Sequence, residues 1–105
     1  MSLGNIQSII SNNTNKVFFF SKPNCIYCDK LQQQLEYLSI PYEKVLLEDS
    51  TLIQDLVIIT GHRTFPQLFF GTEFIGGFSE FEKLCYTNKI EEKLMPLGIK
   101  PELDF

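Results

Sequence analysis

A chain of 105 residues, 44% hydrophobic and 21% charged, has the size and composition of one soluble globular domain spanning 1–105. Its net charge of −4 excludes an ordinary nucleic-acid binder, which needs a basic face to displace counterions. Two of its three cysteines are too close together to staple a fold, which excludes a disulfide scaffold.

The opening segment MSLGNIQSIISNN has no basic region, no long apolar run and no arginine, so neither a signal peptide nor a mitochondrial presequence is expected. Ile6, Ile9 and Ile10 recur at helical spacing and predict a short helix ending near Asn12. Lys16 to Ser21, KVFFFS, is an apolar β-forming run too short for a helix, and reads as a buried strand with Phe18–Phe20 in the core. SKPN is turn chemistry. From Cys25, the spacing of Leu31, Leu35 and Leu38 predicts a helix to about Ser39, closed by Pro41. Tyr42 to Leu47 is a second strand. Ser50 is the expected cap of a helix running through Thr60, with Gly61 as its stop. Gln67–Phe70 and Thr72–Ile75 flank Gly71 as a hairpin. Ser79, with Glu82 after it, predicts a capping box, and a last helix covers about Lys89 to Leu97 before a tail. A βαβ unit followed by a hairpin implies an α/β fold: a central mixed four-stranded sheet with helices on both faces. No segment approaches the roughly 18 apolar residues that cross a membrane. A reducing cytoplasm is the expected compartment.

In this arrangement Cys25 stands at the start of the long helix, directly after a strand. Unpaired backbone N–H groups and the positive end of the helix dipole favour its thiolate. Lys22 adds a positive charge, while Asp29 in the first turn acts in the opposite direction. The magnitudes show what such a site does. For a helix-start thiol whose pKa falls from about 8.5 to about 5, the thiolate fraction at neutral pH rises about thirtyfold. Nucleophilicity falls by a similar factor at a Brønsted slope of about 0.4–0.5, so the net gain lies in departure. Such a sulfur is easily expelled from a mixed disulfide, which favours thiol exchange. Cys28, one turn along and more buried, would resolve a mixed disulfide by attacking Cys25. The alternative is half a zinc site; it needs two more ligands, and only Cys85 and His62 remain, far apart and without ligand spacing. Cys85, in the apolar pattern of Phe81 and Leu84, reads as a small core residue.

Lys22, the loop Cys25-Ile26-Tyr27-Cys28, the run Arg63-Thr64-Phe65-Pro66 and the later Gly76-Gly77-Phe78-Ser79 together resemble a dithiol glutaredoxin, over nearly the whole chain. That resemblance implies a thioredoxin fold and glutathione-dependent thiol–disulfide oxidoreductase activity toward glutathionylated and disulfide-bonded proteins. It implies Cys25 as nucleophile and Cys28 as resolving thiol, forming a redox disulfide, and a cis Phe65–Pro66 bond. The implied glutathione site has Lys22 and Arg63 at the glycyl carboxylate, Thr64-Phe65-Pro66 beside the cysteinyl part, and Tyr27 as one wall. The backbone N–H groups of Phe78 and Ser79, at a helix N-terminus, would take the γ-glutamyl carboxylate, and the paired glycines Gly76 and Gly77 would let the ligand approach the backbone closely. Taken singly, these blocks have plainer readings. Thr64-Phe65-Pro66 is a strand-entry turn, Gly76-Gly77 a bend, Lys22 and Arg63 solvated charges, and His62 an ordinary surface residue.

The pattern departs from the family at two places. Ile26 stands where dithiol members commonly carry proline, and some relatives lacking that proline bridge two chains with a [2Fe-2S] cluster, using glutathione as an extra ligand. A polar Gln often precedes the Arg-Thr-x-Pro run, whereas Val57-Ile58-Ile59 here is apolar. Glutathione affinity is therefore expected to rest on Lys22 and Arg63. The competing functions are a thioredoxin-like redoxin serving a reductase such as ribonucleotide reductase, and an iron–sulfur carrier. A monomer without a resident metal is expected.

Overall fold

The computed structural model describes residues 2–102, so the end of the expected tail, 103–105, lies outside the described residues. The elements run α1 (Ser2–Ser11), β1 (Val17–Ser21), α2 (Ile26–Tyr37), β2 (Tyr42–Leu46), α3 (Ser50–Thr60), β3 (Gln67–Phe70), β4 (Glu73–Gly76), α4 (Phe78–Tyr86) and α5 (Ile90–Leu94), followed by a 3-10 turn at Met95–Leu97.

The apolar run VFFFS does what its composition predicts. All of β1 is buried, and because successive side chains of a strand point to opposite faces, both faces of the sheet must be covered there. The strand order is β2-β1-β3-β4, with β1 parallel to β2 and antiparallel to β3, and β3 antiparallel to β4. Helices α1 and α3 pack together, as do α2 and α4, giving the expected mixed four-stranded sheet between helical layers. One aromatic cluster joins the antiparallel strands. Phe69 stacks on its register partner Phe18 at 5.0 Å, meets Phe20 edge-on at 5.8 Å, and lies 5.3 Å from Phe74 on β4.

The strands depart from the sequence expectation by a residue, β1 starting at Val17, β2 ending at Leu46 and β4 spanning Glu73–Gly76, and three helix boundaries differ as well. The cap of α3 is Asp49 rather than Ser50: its Oδ1 accepts from the N–H of Thr51 at 2.8 Å and of Leu52 at 3.2 Å. A carboxylate one residue earlier outcompetes the hydroxyl because it also meets the helix dipole. Gly61 ends α3 as expected, in the left-handed conformation, its N–H bonding the Val57 carbonyl at 2.7 Å. At α4 the box sits two residues earlier than Ser79–Glu82. Gly77 is the cap, and its N–H donates to Glu80 Oε1 at 2.6 Å. Ser79 is therefore inside the helix, and Glu82 is an exposed residue further along it. The last helix is shorter than expected, because Pro96 cannot continue the α-helical ladder and the chain tightens into the 3-10 turn.

The aromatic cluster makes a stability prediction. Phe69→Ala is expected to cost about 3–5 kcal/mol, the usual range for emptying a buried Phe site. Urea denaturation measures it, and a loss below about 1 kcal/mol would contradict this packing.

Candidate functional site: a dithiol beside a polar groove

Strand β1 ends at Ser21, and SKPN turns the chain so that α2 begins at the sheet's edge of loops. Cys25 is the N-cap of α2, with extended backbone (φ −115°, ψ 104°), and its Sγ accepts from the Cys28 N–H at 3.2 Å. The sulfur takes the place usually filled by a Ser, Thr or Asp oxygen. Cys25 is half-buried, whereas Cys28, on the inner side of the first turn, is only 1% exposed. The two are joined as a disulfide with Cα atoms 5.3 Å apart, so the structure is the oxidised form of the pair. Ile26 occupies the first helical position, a place whose N–H has no intrahelical partner. Proline is tolerated there for that reason, and the exchange of proline for isoleucine leaves the helix intact.

A second segment meets the sulfur. Cys25 Sγ lies 3.7 Å from the carbonyl oxygen of Phe65, and the Phe65–Pro66 bond is cis, as the resemblance implied. When the pair is reduced, the neutral Cys25 thiol can donate to that carbonyl, which opposes the thiolate. The Cys28 N–H and the start of α2 favour it. Lys22 is exposed, with its Nζ 5.7 Å from the Phe65 ring centroid, so its charge stands over the same loop. Lys30 Nζ lies 5.1 Å from the Tyr27 ring, a second nearby cation that the sequence reading passed over.

Beside this centre runs a groove of about 370 Å³ lined by Tyr27, His62, Thr64, Phe65, Gly77, Phe78, Ser79 and Glu80. Tyr27 and Phe78, 6.1 Å apart between ring centroids, wall it from α2 and α4. Gly76 is there for room, whereas a Cβ on Gly77 would make only ordinary contacts at 3.4 Å. Gly76 has φ 128°, and a Cβ on it would come within 2.6 Å of the Glu80 side chain. Tyr27, Thr64, Phe65, Gly77, Phe78 and Ser79 thus line one groove. Pro66 lies buried behind them, Lys22 stands outside the lining, and Arg63 is exposed and does not line the groove. Two lining residues were missed by sequence reasoning. Glu80 carries a signal that was available, since an acidic residue three places after a helix cap reads as part of a capping box. His62 carried none, and it is half-buried rather than an ordinary surface residue. Among the described residues no group of three or more His, Cys, Asp or Glu side chains gathers at one place, so the zinc alternative has no ligand set there.

A dithiol at a helix start, facing a cis-proline loop on this sheet, defines a thiol–disulfide centre of the thioredoxin fold. The sequence profile described as Glutaredoxin matches residues 17–75. Glutaredoxin-1 of Mus musculus is 36% identical over 94 residues, covering 81% of this chain and 86% of that protein. The Sus scrofa Glutaredoxin-1 is 37% identical over 92 residues, covering 79% and 85%. Among solved structures, that of the buckwheat glutaredoxin–glutathione complex superposes with a TM-score of 0.83 at 26% identity, covering 93% of this chain and 91% of that one. The chain belongs to the glutaredoxin family. It is a glutathione-dependent thiol–disulfide oxidoreductase, with glutathione as its co-substrate.

The third thiol is chemically different. Cys85 is unpaired and half-buried on α4, packed against the core as expected, in a groove formed with Tyr37, Leu38, Phe81, Glu82 and Tyr86. Burial pushes its thiol up, and the negative charge of Glu82 pushes it further. It therefore stays protonated at neutral pH and deprotonates only above the ordinary thiol range of about 8.5. With Cys25 and Cys28 replaced by Ser, alkylation of Cys85 by iodoacetamide at pH 8 is expected to be severalfold slower than that of free cysteine. The rate should climb as pH passes that range. A rate at pH 8 equal to that of the free amino acid would contradict this assignment.

Proposed function

We propose that Cys25 is the nucleophile and Cys28 the resolving thiol of an enzyme that reduces protein–glutathione mixed disulfides and protein disulfides. The observation carrying this reading is the placement of Cys25 Sγ at the N-cap of α2 while Cys28 lies sealed behind it. A substrate disulfide reaches the first sulfur and not the second.

In the monothiol route, the Cys25 thiolate attacks the glutathionyl sulfur, forming a Cys25–glutathione disulfide. The substrate protein leaves as a thiolate that takes up a proton. A second glutathione thiolate then attacks the glutathionyl sulfur and expels Cys25, giving oxidised glutathione. In the dithiol route, Cys25 joins one sulfur of a protein disulfide. Cys28, deprotonated, attacks Cys25 Sγ, closes the intramolecular bridge and releases the reduced protein. Two glutathiones then restore the dithiol. Both routes depend on Cys25 being a good leaving group.

The groove and the cations beside it would together supply contacts for every part of glutathione. The N–H groups of Phe78 and Ser79, which have no intrahelical partner in the first turn of α4, would take the γ-glutamyl carboxylate. Glu80 offers the adjacent ammonium a counter-charge. The Phe65 backbone, next to Cys25, would pair with the cysteinyl part, and Thr64, Pro66, Gly77 and Tyr27 would shape the slot. Lys22, with Arg63 beyond it, would hold the glycyl carboxylate, since nothing polar stands at Val57-Ile58-Ile59. The chain would act as one glutaredoxin domain over 1–105, as a monomer, in the cytoplasm. None of its helices among the described residues is long and apolar enough to cross a membrane.

The thioredoxin-like alternative is disfavoured by the polar groove at α4. A coupled assay with glutathione and glutathione reductase is expected to show turnover, and one with thioredoxin reductase alone to show little. The iron–sulfur alternative is tested by anaerobic reconstitution with iron and sulfide, for which no chromophore and no dimer are expected. Cys25→Ser is expected to abolish both reactions, whereas Cys28→Ser should keep deglutathionylation and lose reduction of protein disulfides. Lys22→Ala is expected to raise KM for a glutathionylated peptide roughly threefold to tenfold while changing kcat less, the signature of lost uniform binding. An unchanged KM would remove Lys22 from the site.

A further inference from the structure

His62 is held as few surface residues are. Its N–H donates to Thr60 Oγ1 at 3.1 Å, and its carbonyl accepts from Gln67 Nε2 at 2.5 Å. Gln67 is fully buried, and its Oε1 accepts from the Thr60 hydroxyl at 2.8 Å, so a closed polar network ties the end of α3, His62 and the start of β3 together. The imidazole meets Phe74 edge-on at 5.5 Å, which fixes the ring as the network fixes the backbone. Its Nε2 then reaches into the groove, 3.0 Å from Thr64 Oγ1. A methyl group on Gly77 would lie 3.4 Å from that Nε2, and 3.4 Å from Glu80 Oε1 as well. The imidazole thus stands over the N-terminus of α4, with Glu80 and Tyr27 as the other titratable side chains of the lining.

We propose that His62 is a positioning residue for the γ-glutamyl end of the glutathionyl group, acting through Thr64. This rests on the glutathione-site reading above. A hydroxyl has one proton to give. With the hydrogen on Nε2, the ring donates to Thr64 Oγ1, and the Thr64 O–H is free to donate to the γ-glutamyl carboxylate at the start of α4. In the other tautomer, Thr64 spends its proton on the ring and offers the ligand none. The His62–Thr64 pair therefore adds a side-chain donor to the backbone N–H groups of α4, and it distinguishes a glutathionyl group from a thiol compound lacking the γ-glutamyl moiety.

The test uses one peptide carrying either a glutathionyl or a cysteinylglycinyl mixed disulfide, and compares kcat/KM for the two. The parent enzyme is expected to prefer the glutathionyl form. His62→Ala should lower that preference about tenfold, the order of one hydrogen bond to a charged group, mainly through KM. His62→Gln, which restores an N–H donor at a similar reach, should recover most of it. Thr64→Val should lose as much as His62→Ala, and the double variant no more than either. A His62→Ala enzyme that keeps the parent's preference, or slows on both substrates equally, overturns this proposal alone, as does an additive double variant. A parent enzyme with no preference overturns the glutathione-site reading, and this proposal with it.

Discussion

In the proposed function, the chemistry of this protein depends on one hydrogen bond at a helix start. Cys25 caps α2 with its sulfur, accepting the Cys28 N–H at 3.2 Å. A capping atom is chosen for its ability to carry negative charge, because the helix presents unpaired N–H groups and a positive dipole end there. On the proposed reading, a thiol in that position couples folding to reactivity, because what holds the helix start together would also favour the thiolate once the pair is reduced. The same geometry puts Cys28 one turn inward, where the first sulfur can reach it and bulk solvent cannot.

Everything around this pair serves to hold it or to address it. Strand β1 is buried on both faces, so the loop that leaves it starts from a rigid edge. The loop entering the antiparallel strand β3 brings Phe65 and its carbonyl to the sulfur from 40 positions along the chain. The hairpin then carries the glycines and the start of α4 to the opposite wall of the groove. The result is a local polar site on an acidic molecule. Net charge describes the whole surface, and under the proposed function a ligand with two carboxylates would respond to the few groups lining its slot.

Much of this was legible in the linear sequence because it is local. The strand at Val17–Ser21, the Leu31 and Leu35 face of α2, Gly61 as a stop and the strand Gln67–Phe70 each follow from a residue type and its immediate neighbours. The errors were also local. At α3, Asp49 and Ser50 are both good caps, and the carboxylate prevails because it adds an electrostatic contribution to the hydrogen bond. At α4, Gly77 caps without a side chain, and Glu80 rather than Glu82 closes the turn, because the helix begins two residues earlier than the Ser79 reading required, directly after the positive-φ Gly76. Ile26 was legible as a departure from the family. Its harmlessness to α2 was visible only once it stood at the first helical position.

By itself, the sequence determined the elements, their order and the dithiol, since these depend on periodicity, capping and spacing within a few residues. Tertiary structure alone decided which distant groups share the site. Phe65 meets Cys25 across 40 positions of chain, Arg63 stays outside the groove, and His62 turns into it. Those outcomes depend on strand pairing and on where the buried Thr60–Gln67 contact pulls the loop. Strand pairing brings together residues far apart in the chain, and the Thr60–Gln67 bond forms only because the sheet buries Gln67, so no local pattern of residue types encodes either.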